Sequence, residues 1–433
     1  MNQLFRLRPS ALLRQLPAPL ALGLLLLSAC NSGTEQSGGA TATEGTTAAV
    51  PEPTNDTGSW YRQYRGLLPG TPDSVTLHLQ RLGVEPGNDG PGRIVGFFAG
   101  PDGRPHELGG DTGSKGDSLN LRDLSRELAA TVASGSDDND DDPLEGNAEW
   151  LLKEEGTQLV GTHKGQPVRL RQLRAGTGIR FAARNFVADV LPRPDHPEDS
   201  IRGHRVMHAL VPFMAPNQEV LAANILRGLH GDTVDTAPVP ALDSIWREQL
   251  RAFTKDYRSD AAPLLAAAAK DKSKEYRPIE TLAYEQEVNT YVLWNEGDLL
   301  SMGFFGYDYS GGAHGIYGTY VQSYDTRTGK SLRYDDIFQA SAKPKLEKLL
   351  GQYARPSLGL GANEPLSKAL MVKTLPVTRN VYLTGNGAVF VYLPYEIAAY
   401  VYGQISVFVP FSEMQGLLKP GLPVGETRAV AAR

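Results

Sequence analysis

A single cysteine, Cys30, stands in the 433 residues, so no disulfide forms within the chain in any redox environment. Long apolar runs are missing too: the longest, residues 18–27, falls far short of the roughly 20 residues a membrane-spanning helix needs. Charge of either sign is modest. With 43 Lys and Arg against 49 Asp and Glu the net charge is −6, which argues against nucleic acid as a partner. Several catalytic signatures are incomplete. There is no Gly-x-Ser-x-Gly elbow. Gly359-Leu360-Gly361 fails as a dinucleotide loop because Glu364 stands where the third glycine belongs, and His106-Glu107 lacks the second His of a zinc protease helix. No catalytic residue, metal ligand set or cofactor is therefore assigned from motifs.

What is present begins with a leader. Arg6, Arg8 and Arg14 precede the short apolar run, and Leu27-Ser28-Ala29-Cys30 follows it, the layout of a secretory signal. The small residues before the cysteine resemble a bacterial lipobox, which implies lipidation of Cys30 and a mature chain that starts there. An ordinary signal with a leftover cysteine is the alternative. Removing residues 1–29 strips three arginines and no acids, taking the net charge from −6 to −9. Residues 31–59 are Gly, Ser, Thr, Ala, Glu and Pro with hardly a large apolar side chain. Such a stretch cannot offset its ordering entropy and reads as a disordered tether that holds the folded part away from the bilayer.

From Trp60 to about Leu191 short alternating segments recur at about ten-residue spacing, the pattern of an antiparallel barrel or sandwich. Its expected core is Leu77, Leu79, Ile94, Phe97, Leu119, Leu121, Trp150, Leu159, Leu170 and Phe181. The acidic run at residues 137–142 lacks the glycine of a calcium loop and carries Pro143 in any such register, so it reads as a solvated loop. Beyond Pro192 the texture changes. Val220, Leu221, Ile225, Leu226 and Leu229 recur at helical spacing after Asn217, a good N-cap, and Gly231 stops the run. A second helix carries Leu242, Ile245, Trp246, Leu250, Phe253 and Tyr257 on one stripe, with an extension after Pro263. A third follows Pro344 with Leu346, Leu349, Leu350 and Tyr353. Alternating strands fill the rest, making an α+β domain in which helices pack on one face of a largely antiparallel sheet.

The second half is organised around residues 304–320. Two alternating runs flank Ser310-Gly311-Gly312-Ala313-His314-Gly315, and three glycines in five residues allow backbone paths closed to other side chains. The loop is a candidate binding surface of Tyr307, Asp308, Tyr309, Ser310, Gly311, Gly312, His314 and Tyr317. His314 is its one titratable ring, and a structural role bonding the loop backbone is weighed beside a ligand contact. Asp335, Asp336 and Glu396 read as turn, cap or rim acids. His204 and His208 fall on a strand, not on the helix that would bring them together.

Tyr309-Ser310-Gly311-Gly312-Ala313-His314-Gly315, then Tyr324-Asp325-Thr326-Arg327-Thr328-Gly329-Lys330 with Tyr334-Asp335-Asp336-Ile337-Phe338, then Pro394-Tyr395-Glu396-Ile397-Ala398 and Val409-Pro410-Phe411-Ser412-Glu413 run in an order that resembles RsiV-like envelope proteins. Those carry a DUF3298 domain, usually behind a DUF4163-type segment, and the resemblance covers roughly residues 191–418. It implies an extracytoplasmic α+β domain that binds a lysozyme-like protein or accompanies peptidoglycan deacetylases. The departure is that a lipid anchor replaces the transmembrane helix and the sigma-binding segment. The expected organisation is thus a signal peptide (1–29), a tether (30–59), a β-rich barrel or sandwich (60–191), an RsiV-like domain (192–420) and a flexible tail (421–433). The expected function is that of a non-catalytic, lipid-anchored envelope protein whose second domain binds peptidoglycan, another glycan or a lysozyme-like protein, with the membrane as partner through Cys30. The alternative is an enzyme of envelope polysaccharide, a hydrolase or deacetylase-associated, using His314. Gly116-Asp117-Ser118-Leu119 also resembles a GDSL esterase signature, but none of the eight histidines has the required Asp three residues before it.

Overall fold

Eight strands take up the first half. β1 (Trp60–Leu67), β2 (Ser74–Arg81), β3 (Arg93–Ala99), β4 (Pro105–Thr112), β5 (Ser118–Asp123), β6 (Trp150–Glu155), β7 (Gln158–His163) and β8 (Gln166–Gln172) pair in sequence order, and β1 meets β8 to close an antiparallel barrel. Closure leaves no strand edge for another chain to pair with. The structure is a computed structural model and describes residues 58–71, 74–83, 92–100, 103–113, 117–126, 149–173, 178–212, 218–232, 234–270 and 279–424. Cys30, the tether, the acidic run at 137–142, Asn217 and the tail beyond 424 lie outside them.

Eight of the ten expected core residues fill the barrel: Leu77, Leu79, Ile94, Leu119, Leu121, Trp150, Leu159 and Leu170. The other two go elsewhere. Strand parity decides Phe97, because its neighbour Phe98 points inward onto Trp150 at 5.6 Å, which sends Phe97 out of the barrel onto Tyr291 at 6.2 Å. Phe181 lies outside because β9 (Phe181–Val190) leaves the barrel and pairs with β10 (Gly203–Pro212). The second sheet therefore starts before the change of texture at residue 192.

That sheet has six strands in the order β14-β13-β12-β11-β10-β9, adding β11 (Glu285–Glu296), β12 (Leu299–Tyr309), β13 (Ile316–Asp325) and β14 (Lys330–Leu332). Every pairing is antiparallel except β10 with β11. Parallel neighbours need a crossover, and here it runs through α1 (Gln218–His230) and α2 (Leu242–Lys270). The expected stripes are buried: Leu221, Ile225 and Leu229 on α1, Ile245, Trp246, Leu250, Phe253 and Tyr257 on α2. Val220 faces out, and α2 continues unbroken past Pro263.

The opposite face of the sheet meets a three-stranded sheet of β15 (Val381–Leu383), β16 (Gly387–Tyr392) and β17 (Ile405–Pro410). After the one-turn α3 (Tyr334–Ile337), helix α4 (Lys343–Ser357) backs this second sheet. The layers run helices, sheet, sheet, helix. All six residues of β16 are buried, as a strand covered on both faces requires. Two buried serines join the sheets: Ser301 Oγ donates to the Leu383 carbonyl at 2.6 Å, and Ser323 Oγ accepts the Leu383 N–H at 2.8 Å. The fold is α+β, with each sheet carrying helices on one face only. Among the described residues no helix is long and apolar enough to cross a membrane.

Asn295 holds the barrel to this domain. Its backbone carbonyl accepts Gln63 Nε2 at 2.7 Å, while its side chain accepts the Ile179 N–H at 2.8 Å and donates to the Ile179 carbonyl at 2.7 Å. Asn295→Ala leaves both half-buried Ile179 groups unmade, at the low end of the range for lost bonds, so it should destabilise by about 2 kcal/mol in total. Urea unfolding of the two proteins side by side checks this; a loss below about 0.5 kcal/mol would mean water replaces the amide freely.

Candidate functional site

The glycine loop is the tip of the β12–β13 hairpin. Gly311 and Gly312 hold φ of 87° and 102°, backbone that side chains with a Cβ rarely adopt. Gly315 serves by close approach instead: a Cβ there would fall 2.5 Å from the Tyr307 ring.

Tyr307 and Tyr317 are cross-strand neighbours on the face turned toward the three-stranded sheet. The segment between β16 and β17 adds Tyr400, whose ring stacks on His314 with centroids 4.1 Å apart and meets Tyr317 edge-on at 6.1 Å. His314 Nδ1 and Tyr400 OH both donate to the Gly315 carbonyl at 2.7 Å. His314 is exposed, as are Gly312 and Ala313 beside it, while Tyr309 OH donates to the Gly312 carbonyl at 3.2 Å. Burial raises the Tyr317 phenol, and raises that of Tyr400 to about 12. Both phenols stay neutral at any physiological pH.

Asp308 takes no part in this cluster. One residue along a strand turns a side chain to the opposite face, and Asp308 lies under the helices, 5% exposed, accepting from Gln286 Nε2. Burial raises its carboxyl, and Arg205 stands close enough to oppose that shift. Arg205 is itself buried and pulled down to about 10; it donates to Gln286 and, at 2.6 Å, to Gln249 of α2. The eight candidate residues therefore divide: His314 and Tyr317 meet Tyr400, with Tyr307 across the strand pair from Tyr317, whereas Asp308 joins a buried polar network behind the sheet. Tyr400 carried no local sign in the sequence, because 82 residues of chain separate it from Tyr317.

The acids expected as caps and rims are so placed. Asp336 accepts the Arg333 N–H at 2.9 Å, Asp335 pairs with Arg379, and Glu396 accepts the Leu393 N–H at 2.9 Å. His204 and His208 bond separately, to Asp189 and Asn185. His106 pairs with Asp123 at 2.8 Å and stacks on Phe98, and Ser118 opens β5. Among the described residues no group of three or more His, Cys, Asp or Glu side chains converges as a metal site would need. Along the open part of β13, between α1, α2 and the segments at 377–381 and 393–396, lies a cleft of about 1060 Å³.

Residues 335–412 match the family model DUF3298, a protein of unknown function, and residues 230–317 match the model Deacetylase PdaC. No curated protein matches the chain. Among solved structures, a DUF3298 family member from Bacteroides fragilis NCTC 9343 is 22% identical with a TM-score of 0.50, over 59% of this chain and 99% of its own. A DUF3298 family protein from Pseudomonas aeruginosa PAO1 is 19% identical with a TM-score of 0.38, over 55% of this chain and 95% of its own. The Bacteroides protein shares the fold of the part of the chain it covers. The hairpin loop and its β12 strand thus fall in the PdaC match and the Tyr395 and Tyr400 segment in the DUF3298 match, so the aromatic cluster is built from both. The chain contains a DUF3298 domain, preceded by a segment that matches the PdaC model.

Proposed function

We propose that this is a non-catalytic envelope protein, lipid-anchored through Cys30, whose second domain binds an extracytoplasmic ligand, a glycan such as peptidoglycan or a lysozyme-like protein. The DUF3298 and PdaC matches support an envelope-associated domain. The observation that carries the binding reading is the hairpin tip, where exposed His314 is clamped against Tyr400 beside Tyr307 and Tyr317. Rigid aromatic side chains present contact area with little conformational entropy left to lose, the property of binding surfaces. The reading without catalysis draws support from the position of the acids. The Nδ1 of His314 bonds a backbone carbonyl rather than a carboxylate, and Asp308 lies behind the sheet, so among the described residues no acid is paired with the ring for acid–base work.

Passing the purified protein over immobilised lysozyme and over peptidoglycan sacculi tests this. Retention on one of the two is expected, with His314→Ala weakening it by about three- to tenfold, the share of one partly exposed contact of about 0.7–1.4 kcal/mol. Retention on neither, or steady turnover of sacculi that disappears in His314→Ala, would overturn the reading.

A further inference from the structure

Two residues other than glycine hold positive φ among the described residues, Lys164 and Tyr395. Lys164 sits with Gly165 in the two-residue link between β7 and β8, where hairpin geometry demands that conformation. Tyr395 is different. The Glu396 N–H donates to the Leu393 carbonyl at 3.0 Å across Pro394 and Tyr395, and Tyr395 has φ of 68°. Proline second and positive φ third are the signature of a type II turn, whose third position normally takes glycine or asparagine. A bulky aromatic there is an outlier that persists only where something other than the turn selects the side chain. Its ring is 51% exposed, is held at 5.4 Å from Tyr400, and borders the 1060 Å³ cleft.

The floor of that cleft has a second unexplained group. Tyr324 is fully buried, and its hydroxyl has no hydrogen-bond partner among the described residues. It lies beside Gly228 of α1, where a Cβ would fall 3.2 Å from the hydroxyl and 2.7 Å from the Phe304 ring. Both residues line the cleft, and the glycine, lacking a Cβ, is what leaves room beside the hydroxyl. Around them stand Gln249, Gln322 and Glu248. The two guanidiniums at the rim are already matched, Arg333 to Asp235 at 2.8 Å and Arg379 to Asp335. No cationic excess is left to attract a polyanion.

We propose that this cleft is a saccharide site that takes a short neutral oligosaccharide, with Tyr395 as the platform on which a sugar ring stacks and Tyr324 OH as a buried hydrogen-bonding group at its floor. The inference rests on the binding function proposed above and names its ligand class. Sugar hydroxyls both donate and accept, as do a phenol and the amides of Gln249 and Gln322. The axial C–H face of the sugar meets the electron-rich face of an aromatic ring. A protein partner fits less well. Stable protein interfaces have a desolvated core with apolar anchors, and of the large apolar side chains exposed among the described residues, Tyr395 alone lines the cleft.

The test is calorimetric titration of the intact protein with three neutral tetrasaccharides, N-acetylchitotetraose, cellotetraose and maltotetraose. At least one should bind. Tyr395→Gly should weaken that binding by about tenfold or more, the loss of one stacking contact, with no fall in melting temperature because glycine is at ease at that φ. Tyr395→Phe should bind within about twofold of wild type, and Tyr324→Phe should weaken binding by about threefold or more while leaving the fold as stable. Failure to bind any of the three sugars by a protein that is retained on lysozyme or sacculi overturns the saccharide site and leaves the binding function standing. The saccharide site is equally overturned if Tyr395→Gly and Tyr324→Phe bind as wild type does. Retention on neither lysozyme nor sacculi removes both.

Discussion

Trp246→Ala should lower stability by about 3–5 kcal/mol, the usual range for truncating a buried tryptophan. Trp246 is 2% exposed on α2, packed against Phe186 at 5.4 Å, with the Arg205 guanidinium 6.0 Å above its ring. Removing the indole leaves a void between α2 and the sheet and strips the apolar cover from Arg205, which is buried among Gln286, Gln249 and Asp308. Two effects act in the same direction: lost transfer energy, and a buried cation whose packing has loosened. Trp246→Phe separates them. The indole N–H has no hydrogen-bond partner among the described residues, so losing it orphans nothing, and the smaller ring should cost only about 1–1.5 kcal/mol. Urea denaturation followed by circular dichroism measures both. Equal losses for the two variants would show that the contact with Arg205, not the filled volume, dominates.

The second large effect is that of acid on the seam between barrel and domain. His78 stands on the outer face of β2, 2% exposed, and burial pushes its imidazole down to about 4. Facing it are the Tyr61 hydroxyl at 3.0 Å, Gln63, the Trp294 ring at 6.2 Å, and the opposing charges of Glu296 and Arg65. With the folded value below the unfolded value of 6.5, the unfolded chain binds the proton more tightly. Stability from this group is therefore full above pH 6.5 and declines as pH falls toward 4, by ~3 kcal/mol in all. Carboxylates titrate in the same window, so the comparison is with His78→Gln, which keeps a polar group but cannot take the proton. The difference between the two stability curves should slope upward with pH from 4 to 6.5 and flatten above it. Parallel curves would show that the ring reaches water when protonated. Because Tyr61 also receives a bond from Asn295, protonation strains the same seam that Asn295→Ala weakens.

The strands and helices were legible because each is a local statement. Alternation marks the chain at residues 300–304 and 317–321, three glycines mark the tip between them, and the stripe from Leu242 to Tyr257 is a helix by its period alone. The division of the loop's residues could also be read locally, since Tyr307 and Asp308 are adjacent on a strand and must face opposite ways. The sign at Tyr395 was half visible. Pro394 announces a turn, but the glycine that would announce positive φ is replaced by the side chain that matters.

By itself, then, the sequence determined the elements, the order of motifs and the α+β class, all of which depend on neighbours within a few residues. Only the tertiary structure decided which sheet each strand joins and which distant side chains meet. β9 leaves the barrel because it pairs with β10, whose other edge is taken by β11 more than 70 residues on, Phe97 faces outward because β3 packs against β11, and Tyr400 reaches His314 across 85 intervening residues. The reason is physical. Backbone preferences act over one or two turns, whereas closing a long loop is weighed against the burial it permits across the whole chain.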